Sequence, residues 1–309
     1  MSTPFSLIFT KINHISPLEH DFTEVLEAIA LKPKTLYFRG KLPKNVVKEG
    51  ISLRPKTVAI VGSRHNTSYG KEVAYNLAYQ LAKKGVVIVS GLAYGIDSIG
   101  HQGCLDADGT TVAVLGTPIN EIYPRSHVSL AKEIIKQGGA IVSEYAPGEN
   151  CYPNTTSFLC RNRIISGLAD IVVIVEAAEK SGSLNTATHA LEQGKTVFAV
   201  PGNISNPYSQ GCNKLIKQGA FPYTEPDDIL RELFPEDYAK RHYKLRQEQL
   251  IGDTDVETKI LQAIASGARS GEEIMARTHL SPEVFNQAVT LLEIRSRLHP
   301  LGLNRWSLI

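Results

Sequence analysis

Residues 57–64, with the sequence TVAIVGSR, decide the fold of this chain. A short run of β-branched and apolar residues ends at Gly62, Ser63 and Arg64 follow directly, and a helical pattern begins near Tyr69. A strand, a glycine turn and a helix in this order are typical of a parallel α/β sheet. A helix N-terminus presents unpaired N–H groups and a partial positive charge, so the turn is predicted to bind phosphate.

The same layout recurs along the chain. Short runs rich in Val, Ile and Ala alternate with helical patterns, and runs without polar interruption indicate strands buried on both faces. The alternation predicts right-handed crossovers and therefore a Rossmann-like, doubly wound, mostly parallel sheet. The further runs lie at residues 86–89, 111–115, 140–142, 171–175 and 196–200.

Four segments are predicted. Residues 1–50 form a short N-terminal extension with one helix, at about 17–30, and a short strand. Residues 51–234 form the Rossmann-like domain, and residues 235–254 form a charged linker that contains a basic group at 240–246. Residues 255–309 carry three helical patterns, the last opened by Ser281 and Pro282, and then a broken hairpin, which predicts a small winged-helix domain.

Composition narrows the class of protein. The net charge is +2 overall, and residues 55–234 are close to neutral, so any nucleic-acid site must be a local cluster of arginine and lysine. The cysteines at 104, 151, 160 and 212 lack metal-binding spacing, so neither a metal nor another cofactor is predicted, and unpaired thiols suit the cytoplasm. The N-terminal apolar run is too short for a signal or a membrane span, which predicts a cytoplasmic protein without membrane contact.

Glycine and serine follow several of the predicted strands, as at Gly91, Ser181 and Gly182. The carboxyl ends of parallel strands share one edge of the sheet, and glycine lets backbone N–H groups approach an anion. One such turn is uninformative, because glycine turns follow strands in any fold of this class, but several on one edge favour phosphate binding. The dinucleotide fingerprint is absent, and the P-loop-like Gly194-Lys195-Thr196 leads into a strand, which excludes ATP hydrolysis.

A cluster of one aromatic residue, two arginines and an asparagine stands at the start of a predicted helix, directly after a long loop. Arginine holds phosphate and an aromatic face stacks a base with little sequence preference, so this cluster indicates single-stranded nucleic acid. Two alternatives stay open: the aromatic ring belongs to the core, or one arginine forms a structural pair with Asp170 or Glu176. His101 and His189 are interpreted as packing or surface residues, so no catalytic residue is predicted. The cluster consists of Phe158, Arg161, Asn162 and Arg163.

From about residue 36 to 233 the chain resembles the DNA-processing protein A (DprA/Smf) family. The matching strings are LYFRG at 36–40, VGSR at 61–64, SGLAYGID at 90–97, RNRII at 161–165, SGSLNTA at 181–187 and VFAVPG at 197–202. The resemblance implies a non-enzymatic, homodimeric protein that binds single-stranded DNA. It also implies that the protein protects incoming DNA in natural transformation and loads the RecA recombinase.

The resemblance also implies which residues line the strand site: Ser63, Arg64, Phe158 with the arginines that follow it, Ser181, Gly182 and Lys195. Two positions depart from the family pattern, since Leu159 stands where proline is usual and Thr155 where a basic residue is frequent. The C-terminal domain is near neutral, so both DNA contact and protein contact stay open for it.

The alternative hypothesis is a nucleotide-binding sensor or a phosphoribohydrolase-like enzyme on the same fold. Those enzymes carry a P-G-G-x-G-T motif and a downstream glutamate. Here Pro201-Gly202 is followed by Asn203 and Ile204, and Glu176 alone is placed to act as a carboxylate base. The missing motif disfavours this alternative.

Overall fold

The computed structural model describes residues 11–48, 51–149, 154–236, 238 and 250–308. The chain divides into two compact units, Met1–Leu233 and Phe234–Ile309. Cys151 and the basic group at 240–246 lie outside the described residues. The finer division into four segments stays a prediction.

Among the described residues, a mostly parallel sheet of nine strands forms the centre of the first unit, which confirms the predicted doubly wound class. The spatial order is β1-β2-β8-β7-β6-β5-β9-β10-β11, and β2 is antiparallel to both of its neighbours. β3 and β4 form a separate antiparallel pair. The strands are β1 (Asn13–Ile15), β2 (Leu36–Gly40), β3 (Val46–Lys48), β4 (Ile51–Leu53), β5 (Thr57–Val61), β6 (Val87–Ser90), β7 (Thr111–Leu115), β8 (Ala140–Ser143), β9 (Ile171–Ile174), β10 (Thr196–Ala199) and β11 (Phe221–Pro222).

The parallel strands are buried because helices cover both faces. Every residue of β5, β6, β7 and β9 is buried, as the uninterrupted apolar runs predicted. Full burial of each Val or Ile side chain contributes about 1.5–3 kcal/mol, so the central strands carry much of the stability of the unit.

Helices connect the strands, and several begin at side-chain caps. The Thr67 hydroxyl accepts from the Gly70 N–H before α2, and the Asn154 side chain accepts from the Ser157 N–H before α5. Across the described ranges, no helix has both the length and the apolar character that a membrane crossing requires. The helices of this unit are α1 (Asp21–Glu24), α2 (Ser68–Lys83), α3 (Ile96–Asp106), α4 (Val128–Lys136), α5 (Thr155–Leu168), α6 (Ser183–Glu192), α7 (Gln210–Lys217) and α8 (Pro226–Leu233).

The prediction of one helix over residues 17–30 is wrong. The segment consists of a 3₁₀ turn, the single turn of α1 and a second 3₁₀ turn. His20 has extended backbone angles (φ −150°, ψ 127°) and interrupts the helix, while its ring accepts from the Phe22 N–H at 3.1 Å. Phe22 and Leu26 are nevertheless fully buried in the main core, so tertiary packing holds a segment that is not a regular helix.

The strand order reverses beside β5. The chain adds β6, β7 and β8 on one side of β5 and then β9, β10 and β11 on the other. The connections after β5 and β9 therefore leave in opposite directions, which opens a crevice at the carboxyl ends of these two strands. The turn that begins with Gly62 lies at this point.

Over the described residues 250–308, the second unit contains three helices and a two-stranded antiparallel hairpin, the elements of a winged helix. Its core includes Phe285, fully buried, and Trp306, whose ring lies 5.6 Å from that of Phe285 in an edge-on arrangement. Ser281 caps the third helix, as predicted. The elements are α9 (Asp255–Ala265), α10 (Gly271–Thr278), α11 (Pro282–Ile294), β12 (Leu298–Gly302) and β13 (Arg305–Leu308).

Candidate nucleic-acid interface

A cleft of about 610 Å³ opens at the carboxyl ends of β5 and β9. The turn after β5, the first turns of α5 and the N-terminus of α6 form its walls. Gly91 and two tyrosines lie in a shallow pocket that adjoins it. The cleft contains most of the residues predicted for the site: Gly62, Ser63, Arg64, Phe158, Arg161, Asn162, Ser181 and Gly182.

The turn after β5 is held on both sides by the protein. The Ser63 N–H donates to the Glu176 carbonyl at 2.7 Å, and the Ser63 carbonyl accepts from the Ile96 N–H at 3.2 Å. A Cβ on Gly62 would lie 2.7 Å from the Ile96 side chain and 2.9 Å from the Glu176 carbonyl. The turn therefore requires glycine for close packing, and it fixes the backbone from which Arg64 projects.

The N-terminus of α2 is not free for phosphate, contrary to the expectation from the sequence. The Glu176 carboxylate accepts from the Thr67 N–H at 2.8 Å and from the Thr67 hydroxyl. Gly70 makes room, since a Cβ there would lie 2.2 Å from a Glu176 oxygen. Glu176 thus supplies the negative charge that a helix N-terminus favours. With both oxygens engaged and 1% exposure, it is not placed to act as a catalytic base.

Arg161 is buried beneath the cleft. Its guanidinium donates to the Gly91 carbonyl at 2.7 Å and to the Val114 carbonyl, and the side chain is 4% exposed. Burial lowers the pKa of Arg161 to about 10, although the nearby Asp97 carboxylate opposes the shift. Burial in turn raises the pKa of Asp97, which accepts from the Gly91 N–H at 3.0 Å. The arginine therefore links the ends of β6 and β7.

Arg163 points away from the cleft. It forms a two-pronged ion pair with Glu144, at 2.8 and 2.7 Å, and donates to the Leu31 carbonyl at 2.7 Å. The structural pair left open by the sequence thus exists, but its acceptor is Glu144. Asp170 pairs with Arg54 instead.

Arg64 and Phe158 lie together at the centre of the cleft. The Arg64 guanidinium carbon is 5.2 Å from the centroid of the half-buried Phe158 ring, and that of Arg161 is 6.0 Å from it. Gly116 admits the ring, since a Cβ there would lie 2.7 Å from Phe158 Cδ1. Arg64 is exposed and has no ion pair or hydrogen bond within the described part of the chain. The Arg64 guanidinium is therefore available to bind an anionic ligand beside the face of the Phe158 ring.

The turn before α6 forms the opposite wall. The Asn162 amide donates to the Gly182 carbonyl and to the Asn185 side chain, both at 3.3 Å, so Asn162 supports this wall. Ser181 Oγ lies 2.8 Å from Ser183 Oγ. Lys180 lines the cleft, is exposed, and forms no ion pair with any residue that the structure describes. The predicted site omitted Lys180, although it opens the same serine-glycine turn.

Three tyrosines at the site were also missed. Tyr208 lines the cleft itself, whereas Tyr94 and Tyr123 line the adjoining pocket and are 48% and 42% exposed. The ring of Tyr123 lies 5.5 Å from that of Phe158. The signal in the sequence was an aromatic residue in each of the segments that follow β6, β7 and β10.

Lys195 is not brought to the cleft. It directly precedes β10 and therefore lies at the amino edge of the sheet, where burial lowers its pKa and the charges of Asp170 and Arg54 act on it.

Within the described ranges, no three His, Cys, Asp or Glu side chains are grouped to hold a metal ion.

Comparison with known proteins identifies the family. Residues 13–234 match the family model of DNA recombination-mediator protein A. Over 222 residues, 72% of this chain, it is 44% identical to protein Smf of Escherichia coli K12 and 40% identical to DNA processing protein DprA of Bacillus subtilis 168. The match spans 57% of the length of Smf and 71% of that DprA.

Solved structures agree with this match. DprA from Streptococcus pneumoniae aligns with a TM-score of 0.62 at 36% identity, covering 74% of this chain and 76% of that one. DprA from Helicobacter pylori, whose structure is described for its mode of binding single-stranded DNA, aligns with a TM-score of 0.61 at 31% identity and covers 73% and 97%. The chain belongs to the DNA recombination-mediator protein A family.

Proposed function

We propose that this protein binds single-stranded DNA in the cleft at the carboxyl ends of β5 and β9. Arg64 and Lys180 hold phosphates, and the ring of Phe158 stacks one base. The observation that carries the proposal is the pairing of the unengaged Arg64 guanidinium with the half-buried Phe158 ring, 5.2 Å apart. The description of the Helicobacter pylori structure supports the same class of ligand.

The shape and charge of the cleft favour a single strand over a duplex. A ring within a cleft is reached only by a base that is not paired, and stacking is tolerant of sequence because every base has a π-face. Arg161 and Arg163 form hydrogen bonds or ion pairs within the protein. The positive charge available to a ligand at the cleft is therefore limited to a few side chains such as Arg64 and Lys180. A duplex held by its backbone alone needs a broader array of cations.

The binding test compares fluorescent single-stranded and duplex oligonucleotides of equal length by anisotropy at several salt concentrations. Single strands are expected to bind more tightly, with an affinity that falls by about 0.7 log units per log unit of salt for each phosphate contact. Phe158→Ala should weaken binding by about 1–3 kcal/mol if the ring stacks a base. Equal affinity for duplex, or no binding by the full chain, contradicts the proposal.

We also propose that the protein delivers the bound DNA strand to a recombinase. Membership of a recombination-mediator family supports the loading of RecA onto the bound strand, with protection of incoming DNA in natural transformation as the setting. A homodimer would present two clefts to one strand. Sedimentation of the full chain tests the dimer. The rate of RecA filament formation on DNA coated with single-strand-binding protein tests loading. If this protein does not accelerate filament formation, the loading step is contradicted.

A further inference from the structure

The aromatic surface at the cleft does not end at Phe158. Tyr123 lies 5.5 Å from Phe158, centroid to centroid, with the two ring planes inclined by 32°. Tyr94 lies on the other side of the same shallow pocket, which also contains Arg64 and Arg161. The pocket therefore continues the cleft along the sheet edge, from the end of β5 toward the ends of β6 and β7.

Both tyrosines are exposed, and each ring contacts a neighbouring ring. Tyr123 precedes the buried Pro124 and has 42% of its surface exposed. The Tyr94 hydroxyl accepts from the Ser126 hydroxyl at 3.0 Å. The rings of Tyr94 and His127 are arranged edge to face, with their centroids 5.0 Å apart. Two exposed rings beside the Arg64 guanidinium, which has no ion pair within the described residues, form a surface suited to a flat ligand.

We propose that Tyr123, with Tyr94 beyond it, is a second base-stacking platform that binds the nucleotide adjacent to the one on Phe158. This inference rests on the proposed function and extends its site. One strand of a duplex advances about 3.4 Å per nucleotide, and the two ring centroids are 5.5 Å apart, so the rings suit consecutive nucleotides of a strand that is more extended than in a duplex. The strand then follows the carboxyl ends of the sheet from Lys180 across Phe158 to Tyr94.

The test measures affinity for oligothymidylates of increasing length. Tyr123→Ala is expected to lower affinity about 5- to 150-fold for strands long enough to pass Phe158, and to leave the shortest strand that binds nearly unaffected. Tyr123→Phe should retain affinity, because the platform needs the ring and not the hydroxyl. Tyr79→Ala is the matched control, since Tyr79 lies on α2, outside both linings.

A spectroscopic readout separates stacking from indirect effects. The chain has one tryptophan, Trp306, in the second unit. Tyr123→Trp adds a second emitter, and a base stacked on it should quench its emission relative to the unsubstituted protein. Thermal unfolding of each variant accompanies these measurements.

The outcomes distinguish the two proposals. If the unsubstituted chain binds no single strand, the proposed function fails. If it binds, and Phe158→Ala weakens it while Tyr123→Ala is unchanged at every length, the second platform is overturned and the proposed function stands. A loss with Tyr123→Ala that Tyr123→Phe does not restore, without quenching of Tyr123→Trp, also overturns the platform.

Discussion

The Glu176 carboxylate accepts hydrogen bonds from both the backbone N–H and the hydroxyl of Thr67, 109 positions earlier in the chain. This contact joins the end of β9 to the start of α2. It also places a negative charge at the helix N-terminus, where a phosphate was expected from the sequence. The phosphate contacts proposed for this cleft therefore depend on side-chain cations rather than on the dipole of α2.

Replacing this carboxylate should destabilise the fold. Glu176→Gln retains the shape but loses a charge-assisted acceptor in a buried position, which costs about 1–3 kcal/mol. The free energy of unfolding in urea measures the loss. Glu179→Gln is the control, because Glu179 is 61% exposed and 3.4 Å from Lys214, and it should change stability by less than about 0.5 kcal/mol. Equal stability of the two variants contradicts the buried contact.

Arg64→Ala should weaken single-strand binding for every sequence, because a phosphate contact carries no base information. Loss of one charged contact is expected to cost about 1.5–3 kcal/mol and to flatten the salt dependence by about 0.7 per decade. Lys84→Ala removes one exposed charge at the far end of α2. If anisotropy titrations give both variants the same salt slope, Arg64 does not hold phosphate.

Arg163→Ala should act on stability and leave the salt slope of binding unchanged. Its guanidinium is 11% exposed against a Glu144 side chain that is 16% exposed, so the variant leaves a largely buried carboxylate unpaired and costs about 1.5–3 kcal/mol. Arg163→Lys should restore only part of this, since lysine lacks the planar fork. Thermal unfolding beside binding titrations measures both effects; a flattened salt slope at unchanged stability contradicts the structural role.

His101 should make the fold sensitive to acid. Burial lowers the pKa of His101 from 6.5 to about 3, with the charges of His127 and Arg161 acting in the same direction. Below pH 6.5 the unfolded chain therefore takes up a proton that the folded chain refuses. The stability contributed by neutral His101 is present above pH 6.5 and is lost as the pH falls toward about 3.

The measurement is the free energy of unfolding between pH 7.5 and 4. The slope of this free energy against pH should decrease in His101→Gln by about 1.4 kcal/mol per pH unit below about pH 6.5, and should hardly change above it. His189→Gln is the control, because His189 lies at the surface of α6 beside the exposed Glu192. Parallel pH profiles for the native chain and His101→Gln are incompatible with a buried neutral imidazole.

The fold was predictable where local pattern and burial agree. The apolar runs of β5 and β9, rich in valine and isoleucine, indicated strands covered on both faces, and every residue of both strands is buried. The structure of the N-terminal extension could not be predicted in this way, because the helix is interrupted at His20 by backbone angles that hydrophobic periodicity does not reveal. There Phe22 and Leu26 are held by the core they contact rather than by helical hydrogen bonds.

The location of the site was also predictable, but the roles of its arginines were not. Glycines after the strands fixed the edge, and the carboxyl ends of parallel strands had to share it. Whether an arginine is free depends on partners remote in sequence, such as the Gly91 carbonyl for Arg161 and Glu144 for Arg163. Lys195 could have been placed correctly, since it precedes its strand and so lies at the amino edge.

Arg161 gives the site a mechanical property. It is a buried cation, 4% exposed, and it ties the carbonyl of Gly91 to that of Val114, with no space at Gly91 for a side chain. The carboxyl ends of the neighbouring strands β6 and β7 therefore cannot separate without breaking charged hydrogen bonds in a buried position. A DNA strand bound there, as proposed, would meet an edge that is already held in place, so most of the conformational entropy lost on binding would be that of the nucleic acid.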